Sequence, residues 1–360
     1  MKETISVRQA IFTMTMFIIG SSVIITSGVD AKGDLWIAIS IALIAALIIT
    51  WFYSKILSIK PNNDIVDILE MIFGKFFGRL LSFFLIFFSF HLGALVLRNF
   101  GEFIKTIGLP ETPNSILMLI CILLAIISVK SGIETIARGC ELFLLILLFL
   151  LLLTIPFSIP EMDINNLRPM LYEGIMPVLK GAFATFSFPF AETIVFLFVL
   201  PSINKKQYYK VYYTSLIFAG SILIILALRN VLILGPETST RNYFSSYTAV
   251  SRINIANFFQ RIESIVAISF LIYTFAKISI CLYASSKGLS KILGFNDYRF
   301  LVTPIGLLML NFAIIVYENI MQMVEWATEI WPYYSLPFEV FLPLFIYFYY
   351  VIFKRRKMKK

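Results

Sequence analysis

Long apolar runs separated by short polar segments dominate this chain of 360 residues. Ten of the runs are long enough to cross a hydrocarbon core of about 30 Å, which takes about 17–25 helical residues. We number them helices 1 to 10, and they lie near residues 5–28, 36–53, 79–97, 114–130, 140–157, 178–200, 208–234, 263–284, 300–317 and 336–353. The pattern predicts an all-α polytopic membrane protein with a single transmembrane domain over residues 1–360.

Two of these runs are interrupted near their middle. Helix 6 contains the interruption Phe186-Ser187-Phe188-Pro189-Phe190-Ala191-Glu192-Thr193, and helix 1 contains Ile19-Gly20-Ser21-Ser22. A proline and an ionisable glutamate at membrane depth are tolerated where the helix is broken and the freed backbone groups line a protected cavity. Broken helices at matching places in the two halves of a chain indicate a transporter-type binding site.

Breaks in the first and sixth of ten helices predict a five-plus-five inverted repeat, with helices 1 and 6 crossing beside helices 3 and 8. The first repeat would cover about residues 5–157 and the second about 174–353. This arrangement is similar to the amino acid–polyamine–organocation fold, which is also called the leucine-transporter-like fold.

Composition excludes a soluble domain and charge predicts the orientation in the membrane. Apolar residues make up 59% of the chain and the mean hydropathy is +0.88, whereas soluble domains are typically about 45–50% apolar. With the N-terminus inside, 20 of the Lys and Arg residues fall in inner segments and 7 in outer ones. Both termini are therefore expected in the cytoplasm. The basic tail 354–360 is expected to face anionic lipid of the bilayer rather than nucleic acid.

Three segments outside the apolar runs have patterns of their own. Residues 235–262 are expected to form a short surface helix over the outer mouth, and 64–75 a short amphipathic helix at the inner interface. An outer interfacial belt is expected around Trp326 and Trp331. The acidic residues assigned to this outer region are Glu318, Glu325, Glu329 and Glu339.

Catalytic and metal-binding signatures are absent from the sequence. Cys121, Cys140 and Cys281 lie in three separate segments without a C-x-x-C spacing, and a single histidine cannot form a His-rich metal site. The sequence contains no G-x-S-x-G, Walker or H-E-x-x-H motif. We therefore expect no enzyme, no cofactor and no metal.

The two breaks supply the candidate ligand-binding residues. Ser21 and Ser22 would begin a second half-helix after Gly20, whose free N–H groups favour a carboxylate. Free carbonyl groups near Phe186 and Ser187 would suit an ammonium group, so the two ends together fit a zwitterion. Phe188 and Phe190 would form the wall of an apolar pocket. The alternative is that Gly20 permits close helix packing while the serines bond back to the preceding turn.

Three further side chains are candidates for ligand contact from helices 3 and 8. They are His91, Tyr273 and Thr274. Each has a structural alternative, since a buried neutral histidine commonly bonds to a neighbouring helix and helix-interface hydroxyls commonly serve packing. Arg229, nearer the end of its segment, is expected to extend toward the interface.

Glu192 and Lys277 are predicted to lie at the same depth. Each is about fourteen residues from the outer end of its helix, or about 21 Å at 1.5 Å per residue. We expect them to form a charge pair, either with a coupling role in function or with a purely structural one.

Four pieces of the chain, in order, resemble the B subunits of spore germinant receptors. They are Ile5-Ser6-Val7-Arg8-Gln9 leading to Ile19-Gly20-Ser21-Ser22, then Leu97-Arg98-Asn99-Phe100-Gly101-Glu102-Phe103-Ile104, Phe186-Ser187-Phe188-Pro189-Phe190-Ala191-Glu192, and Ser335-Leu336-Pro337-Phe338-Glu339-Val340-Phe341-Leu342-Pro343. The resemblance implies a protein of the spore inner membrane that senses a small nutrient, usually an amino acid. It also implies two partners, an A subunit and a lipoprotein C subunit.

Three functions are compatible with these features. The resemblance favours a nutrient sensor that changes shape on binding. A proton- or ion-coupled amino-acid permease would share every feature of the site, because fold does not determine function. A structural or channel-forming membrane protein is the third.

Overall fold

The computed structural model describes residues 3–253 and 261–354, which are helical and contain no strand beyond one bridge between Ile5 and Ile203. The membrane helices are helix 1 Val7–Ile19 with the turn Gly20–Val23, helix 2 Leu35–Ile59, helix 3 Lys75–Ile107, helix 4 Asn114–Lys130, helix 5 Ile133–Ser158, helix 6 Ile175–Leu197, helix 7 Tyr208–Leu234, helix 8 Glu263–Leu293, helix 9 Arg299–Ile315 and helix 10 Ile320–Phe353. Within these ranges seven helices are long and apolar enough to cross a membrane, and helices 1, 4 and 9 are shorter apolar helices. The chain is a multi-pass membrane protein, as the apolar runs predict.

Local sequence determines where several helices begin and end. Helix 1 begins with a capping box, in which the Gln9 N–H donates to Ser6 Oγ over 3.1 Å and the Ser6 N–H donates to Gln9 Oε1 over 3.0 Å. Helix 8 ends at Gly294, whose φ of 80° is the left-handed conformation that glycine favours. These signals place the ends of helices 1 and 8 independently of the apolar runs.

The helix contacts are those expected if helices 1 to 5 correspond to helices 6 to 10. Helix 2 packs on helix 7, helix 3 on helix 8 and helix 4 on helix 9. Helix 1 packs on helix 7 as helix 2 packs on helix 6, and helix 3 packs on helix 9 as helix 4 packs on helix 8. Exchanging each helix for the one five places later leaves this set of pairs unchanged. A five-plus-five repeat requires that property, whereas the exact bounds of the two repeats stay a prediction.

Several of the segments between membrane helices contain short helices. Ile65–Phe73 turns its apolar face, which includes Ile68 and Ile72, onto the start of helix 3. The outer segment after helix 7 contains two helices, Pro236–Arg241 and Ser245–Ser251, rather than one. Its remainder 254–260 and the basic tail from 355 to 360 lie outside the described residues.

Helix 10 begins well before the predicted position 336. It starts at Ile320 and includes three wide turns, Trp326–Ile330, Pro337–Phe341 and Tyr350–Lys354. Trp331 and Glu339 are buried. The prediction is therefore wrong in placing Trp331 in an interfacial belt and Glu339 in the outer region beside it. The sequence pattern gives too late a start for helix 10 because Glu, Trp and Pro residues interrupt the apolar run before position 336. In the structure, several of these residues are buried against neighbouring helices.

Ion pairs and hydrogen bonds tie the N-terminal segment and the short helix after helix 2 to the inner ends of the membrane helices. Arg299 at the start of helix 9 pairs with Glu3 at 2.6 Å, and Lys287 of helix 8 pairs with Asp64 at 3.3 Å. The Ile5 N–H also donates to the Ser202 carbonyl over 2.9 Å. Helices 1, 6, 8 and 9 are thereby joined at the end of the molecule that we expect in the cytoplasm.

Candidate functional site

The break in helix 1 is sharp. The α-helix ends at Gly20, whose φ of 25° and ψ of −123° are accessible to glycine and strained for other residues. A single tight turn, Gly20–Val23, follows. The expected second half-helix is thus only four residues long, so the helix-dipole argument for a bound carboxylate does not apply to it.

The serine hydroxyls at this break have no partner. Neither Ser21 Oγ nor Ser22 Oγ makes a hydrogen bond to any described residue, and both atoms are shielded from solvent. The alternative in which these serines bond back to the preceding turn is therefore wrong. A buried hydroxyl without a partner costs about 1–3 kcal/mol. The two serine hydroxyls are therefore candidates to bind a ligand.

The break in helix 6 is a wide turn followed by a tight one. The α-helix Ile175–Thr185 passes into Phe186–Phe190 and then into the narrower Ala191–Leu197. Ser187 Oγ donates to the Ala184 carbonyl over 3.0 Å, so this hydroxyl is already satisfied. Phe190 is fully buried in the core. Phe188 departs from helical geometry, with φ −129° and ψ 110°.

Lys277 of helix 8 lies where the two breaks meet. Its Nζ is 2.5 Å from Glu192 Oε2, and the two side chains are 0% and 1% exposed. The same nitrogen lies 5.0 Å from the ring centre of Phe17 and 4.9 Å from that of Phe188, a cation–π geometry. A Cβ added at Gly20 would lie 2.7 Å from Lys277 Cδ. The Lys277 side chain therefore joins helix 8 to both helix 1 and helix 6.

Tyr273 and Thr274 share the face of helix 8 that carries Lys277. They precede Lys277 by four and three residues, which places all three on one side of the helix. Helix 8 packs on the turn Gly20–Val23. Tyr273 and Thr274 are both buried, and neither hydroxyl has a partner among the described residues. With Ser21 and Ser22 they make four unpaired hydroxyls on two elements that touch.

His91 lies apart from this group. Its Nδ1 is 2.7 Å from the Tyr334 hydroxyl of helix 10, and its ring is surrounded by Phe312, Trp326 and Trp331. A small cavity lies between this aromatic cluster and the residues Phe188 and Glu192. The position corresponds to the structural alternative, a histidine bonded to a neighbouring helix.

A second small cavity borders the breaks. Ser22, Thr185 and Pro189 line it from helices 1 and 6, and Asn230 lines it from helix 7. Arg229 beside it is 1% exposed and donates to Thr154 Oγ1, Asn230 Oδ1 and the Ser246 carbonyl. The expectation that Arg229 extends to the interface is therefore wrong, because polar groups of helices 5 and 7 satisfy it internally.

The sequence analysis did not identify two residues of this region, Glu339 and Tyr53, as candidates for the site. Glu339 of helix 10 is 0% exposed, and Tyr53 of helix 2 donates to the carbonyl groups of both Glu339 and Ala191, over 2.5 and 3.3 Å. The sequence held a signal for Glu339, because it lies inside the predicted run 336–353 just after Pro337. A carboxylate close to a proline is also the feature that marked Glu192 in helix 6.

Metal and disulfide chemistry find no support in the part of the chain that the structure describes. Within 3–253 and 261–354 no group of three His, Cys, Asp or Glu side chains could hold a metal ion. Cys121, Cys140 and Cys281 are buried and free. What the region offers is hydroxyl groups, aromatic faces and one buried ion pair, which suit noncovalent binding of a small polar molecule.

Comparison with known proteins identifies the family. A family model described as "Spore germination protein" matches residues 4–322. The chain is 30% identical over 366 residues to spore germination protein KB of Bacillus subtilis (strain 168), covering 99% of this chain and 97% of that protein. The chain belongs to the spore germination protein family. The resemblance found in the sequence is thereby confirmed at the level of the family.

Two solved structures show the same fold at low identity. MHP1, a nucleobase-cation-symport-1 family transporter in a closed conformation with bromovinylhydantoin bound, superimposes with a TM-score of 0.66 at 13% identity, covering 99% of this chain and 80% of that one. MhsT in complex with L-phenylalanine gives a TM-score of 0.66 at 14% identity, covering 98% and 90%. Both have the leucine-transporter fold, so the predicted fold class is confirmed.

Proposed function

We propose that this spore germination protein is the nutrient-sensing B subunit of a germinant receptor, which binds a small nutrient such as an amino acid at the breaks of helices 1 and 6. The observation that carries the proposal is the position of Lys277, which contacts Gly20, Phe188 and Glu192 at one buried point. Ligand binding there would act on three helices at once. A change in their relative positions is the signal that partner subunits would receive.

The side chains around this point fit a polar nutrient with an apolar part. The unpaired hydroxyls of Ser21, Ser22, Tyr273 and Thr274 offer donors and acceptors. The Phe188 ring offers an apolar wall. Hydrogen bonds would fix the orientation of the nutrient, while the wall would select its side chain by about 1–3 kcal/mol per methylene-sized change.

The family membership supports the rest of the assignment. We infer an A subunit and a lipoprotein C subunit as partners and the spore inner membrane as the location. The excess of Lys and Arg in alternate segments supports cytoplasmic termini.

Spores that lack this chain test the proposal most simply. We expect the deletion to abolish germination with one nutrient or a small related group, while germination with unrelated nutrients continues. Complementation with the wild-type chain should restore the lost response. Normal germination of the deletion strain with every single nutrient would contradict a sensor role.

A permease is the second candidate, because the fold is shared with two transporters. Uptake of the same nutrient by proteoliposomes that contain only this chain distinguishes the two. A sensor predicts binding without accumulation. Concentrative uptake that depends on an ion gradient would assign the chain as a permease.

A further inference from the structure

Glu339 is a buried carboxyl group without a hydrogen bond of ordinary geometry. It lies on the wide turn Pro337–Phe341 of helix 10 and is 0% exposed. No hydrogen bond of ordinary geometry reaches either carboxyl oxygen from the described residues. The Ser335 hydroxyl, one turn earlier, is close enough to act on the carboxyl group, but it carries no charge to balance it. An ionised carboxylate in such a position costs several kcal/mol unless a cation or several donors compensate it.

Among the described residues, the cation that acts on Glu339 is Lys277, which is already paired with Glu192. Tyr53 donates to the carbonyl groups of both Glu339 and Ala191, which brings the turn of helix 10 against the residue that precedes Glu192. The charged groups that act on Glu339 are Glu192 and Lys277. Glu192 Oε2 holds the Lys277 ammonium at 2.5 Å.

Within residues 3–253 and 261–354, the other titratable groups near Glu339 offer no compensating charge. The groups that face this region are Tyr53 of helix 2, Tyr212 of helix 7 against the Tyr53 ring, and His91 of helix 3 through Tyr334. The Tyr53 hydroxyl is committed to backbone carbonyls. The cluster thus holds two acids and one amine, and ionising both acids would leave one uncompensated negative charge in a buried site.

We propose that Glu339 is a proton-binding residue, protonated and neutral while Lys277 is paired with Glu192. We take the ligand of this site to be a proton, and within the described ranges no third His, Cys, Asp or Glu side chain joins Glu192 and Glu339 to form a metal-binding group. Loss of the proton to water leaves a second carboxylate that competes with Glu192 for Lys277. Proton binding at helix 10 is in this way linked to the contact between helices 6 and 8. This proton site would be present whichever nutrient the protein binds.

Infrared difference spectroscopy of the purified full-length chain in lipid nanodiscs tests the assignment without any nutrient. The carbonyl stretch of a protonated carboxylic acid is separate from that of a carboxylate, and ¹³C-labelled glutamate shifts it and so identifies the residue type. At neutral pH we expect a buried glutamic acid signal in wild type and its loss in Glu339→Gln. This substitution keeps the shape and the neutral state, so the protein should fold.

Two further variants sharpen the test. Glu111→Gln changes an exposed carboxylate and should leave the signal unchanged. Lys277→Met removes the partner of Glu192, which should then also take up a proton and raise the signal about twofold. A wild-type protein without the signal at neutral pH, or a Glu339→Gln variant that retains it, would overturn the proposal. Loss of the wild-type signal on adding sodium would reassign the site to sodium and overturn it as well.

Discussion

Replacing Gly20 with alanine should disrupt the junction of helices 1, 6 and 8 with a single methyl group. The added Cβ would lie 2.7 Å from Lys277 Cδ and 3.7 Å from Lys277 Cβ. A flexible lysine could usually move away from such a contact. Here its ammonium is held 2.5 Å from Glu192, so the side chain cannot withdraw without lengthening the ion pair.

The expected cost has two parts. A non-glycine residue in a sparsely populated backbone conformation, here with φ 25°, costs about 1–3 kcal/mol. Overpacking in a filled interior costs about 1–3 kcal/mol more. We therefore expect Gly20→Ala to lose about 2–6 kcal/mol of stability. Gly20→Leu should abolish the nutrient response entirely.

Thermal unfolding of the purified protein, together with nutrient-triggered germination, measures both effects. Two glycines supply matched controls. Gly139 lies inside helix 5 with no atom within 4 Å of an added Cβ, so Gly139→Ala should be neutral or stabilising by up to about 1 kcal/mol. Gly294 has a left-handed backbone with φ 80° and equally open surroundings, so Gly294→Ala measures the cost of a positive φ without any steric contact. A Gly20→Ala protein as stable and responsive as the Gly139→Ala control would refute the reasoning.

Three other changes have defined outcomes. Phe188→Ala should alter the ranking of effective nutrients more than the size of the response, as dose–response curves for single nutrients will show; an unchanged ranking with lower protein abundance would make Phe188 a packing residue. Lys277→Met should lower the stability of the protein by about 3–5 kcal/mol and alter the nutrient response, and Lys277→Arg should restore it poorly because the guanidinium is larger. The wild-type protein should respond without sodium. A sodium requirement in wild type would contradict the role given to Lys277. On the side of the molecule expected to face outward, a hydrogen bond from Lys32 lowers the pKa of Glu237, and hydrogen bonds to Glu173 and Glu237 raise the pKa of Lys32. The stability that Glu237 contributes is therefore fully present above its unfolded pKa near 4.5. It is lost as the pH falls through the lower pKa that Glu237 has in the folded protein. The melting-temperature difference between wild type and Lys32→Met should therefore vanish in strong acid, and a difference that persists there would contradict the assignment.

The sequence predicted the features that depend on position along a helix axis. Apolar runs located the ten membrane helices, and Gly20 and Pro189 located the two breaks. Counting about 1.5 Å per residue placed Glu192 and Lys277 at one depth, and their side chains meet at 2.5 Å. These predictions work because helical rise is constant and the bilayer fixes the length of each run.

Features that depend on rotation about a helix axis were less accessible. A depth count places His91 near mid-membrane, but does not reveal that it faces Tyr334 rather than the breaks. Arg229 was expected at the interface because it lies near the end of its segment, whereas its partners Thr154 and Ser246 lie on other segments and are not evident from its own helix. Glu339 was assigned to the outer region because helix 10 contains polar and aromatic residues that mark loops elsewhere.

Equilibrium binding tests the central claim, that a nutrient binds where helices 1, 6 and 8 meet. The measurement uses the radiolabelled nutrient identified by the spore screen and the purified chain in lipid nanodiscs. We predict equal affinity for wild type and Gly139→Ala, and a loss of at least about tenfold for Gly20→Ala, which corresponds to about 1.4 kcal/mol. A folded Gly20→Ala protein that binds the nutrient with wild-type affinity would contradict the account and place the ligand elsewhere.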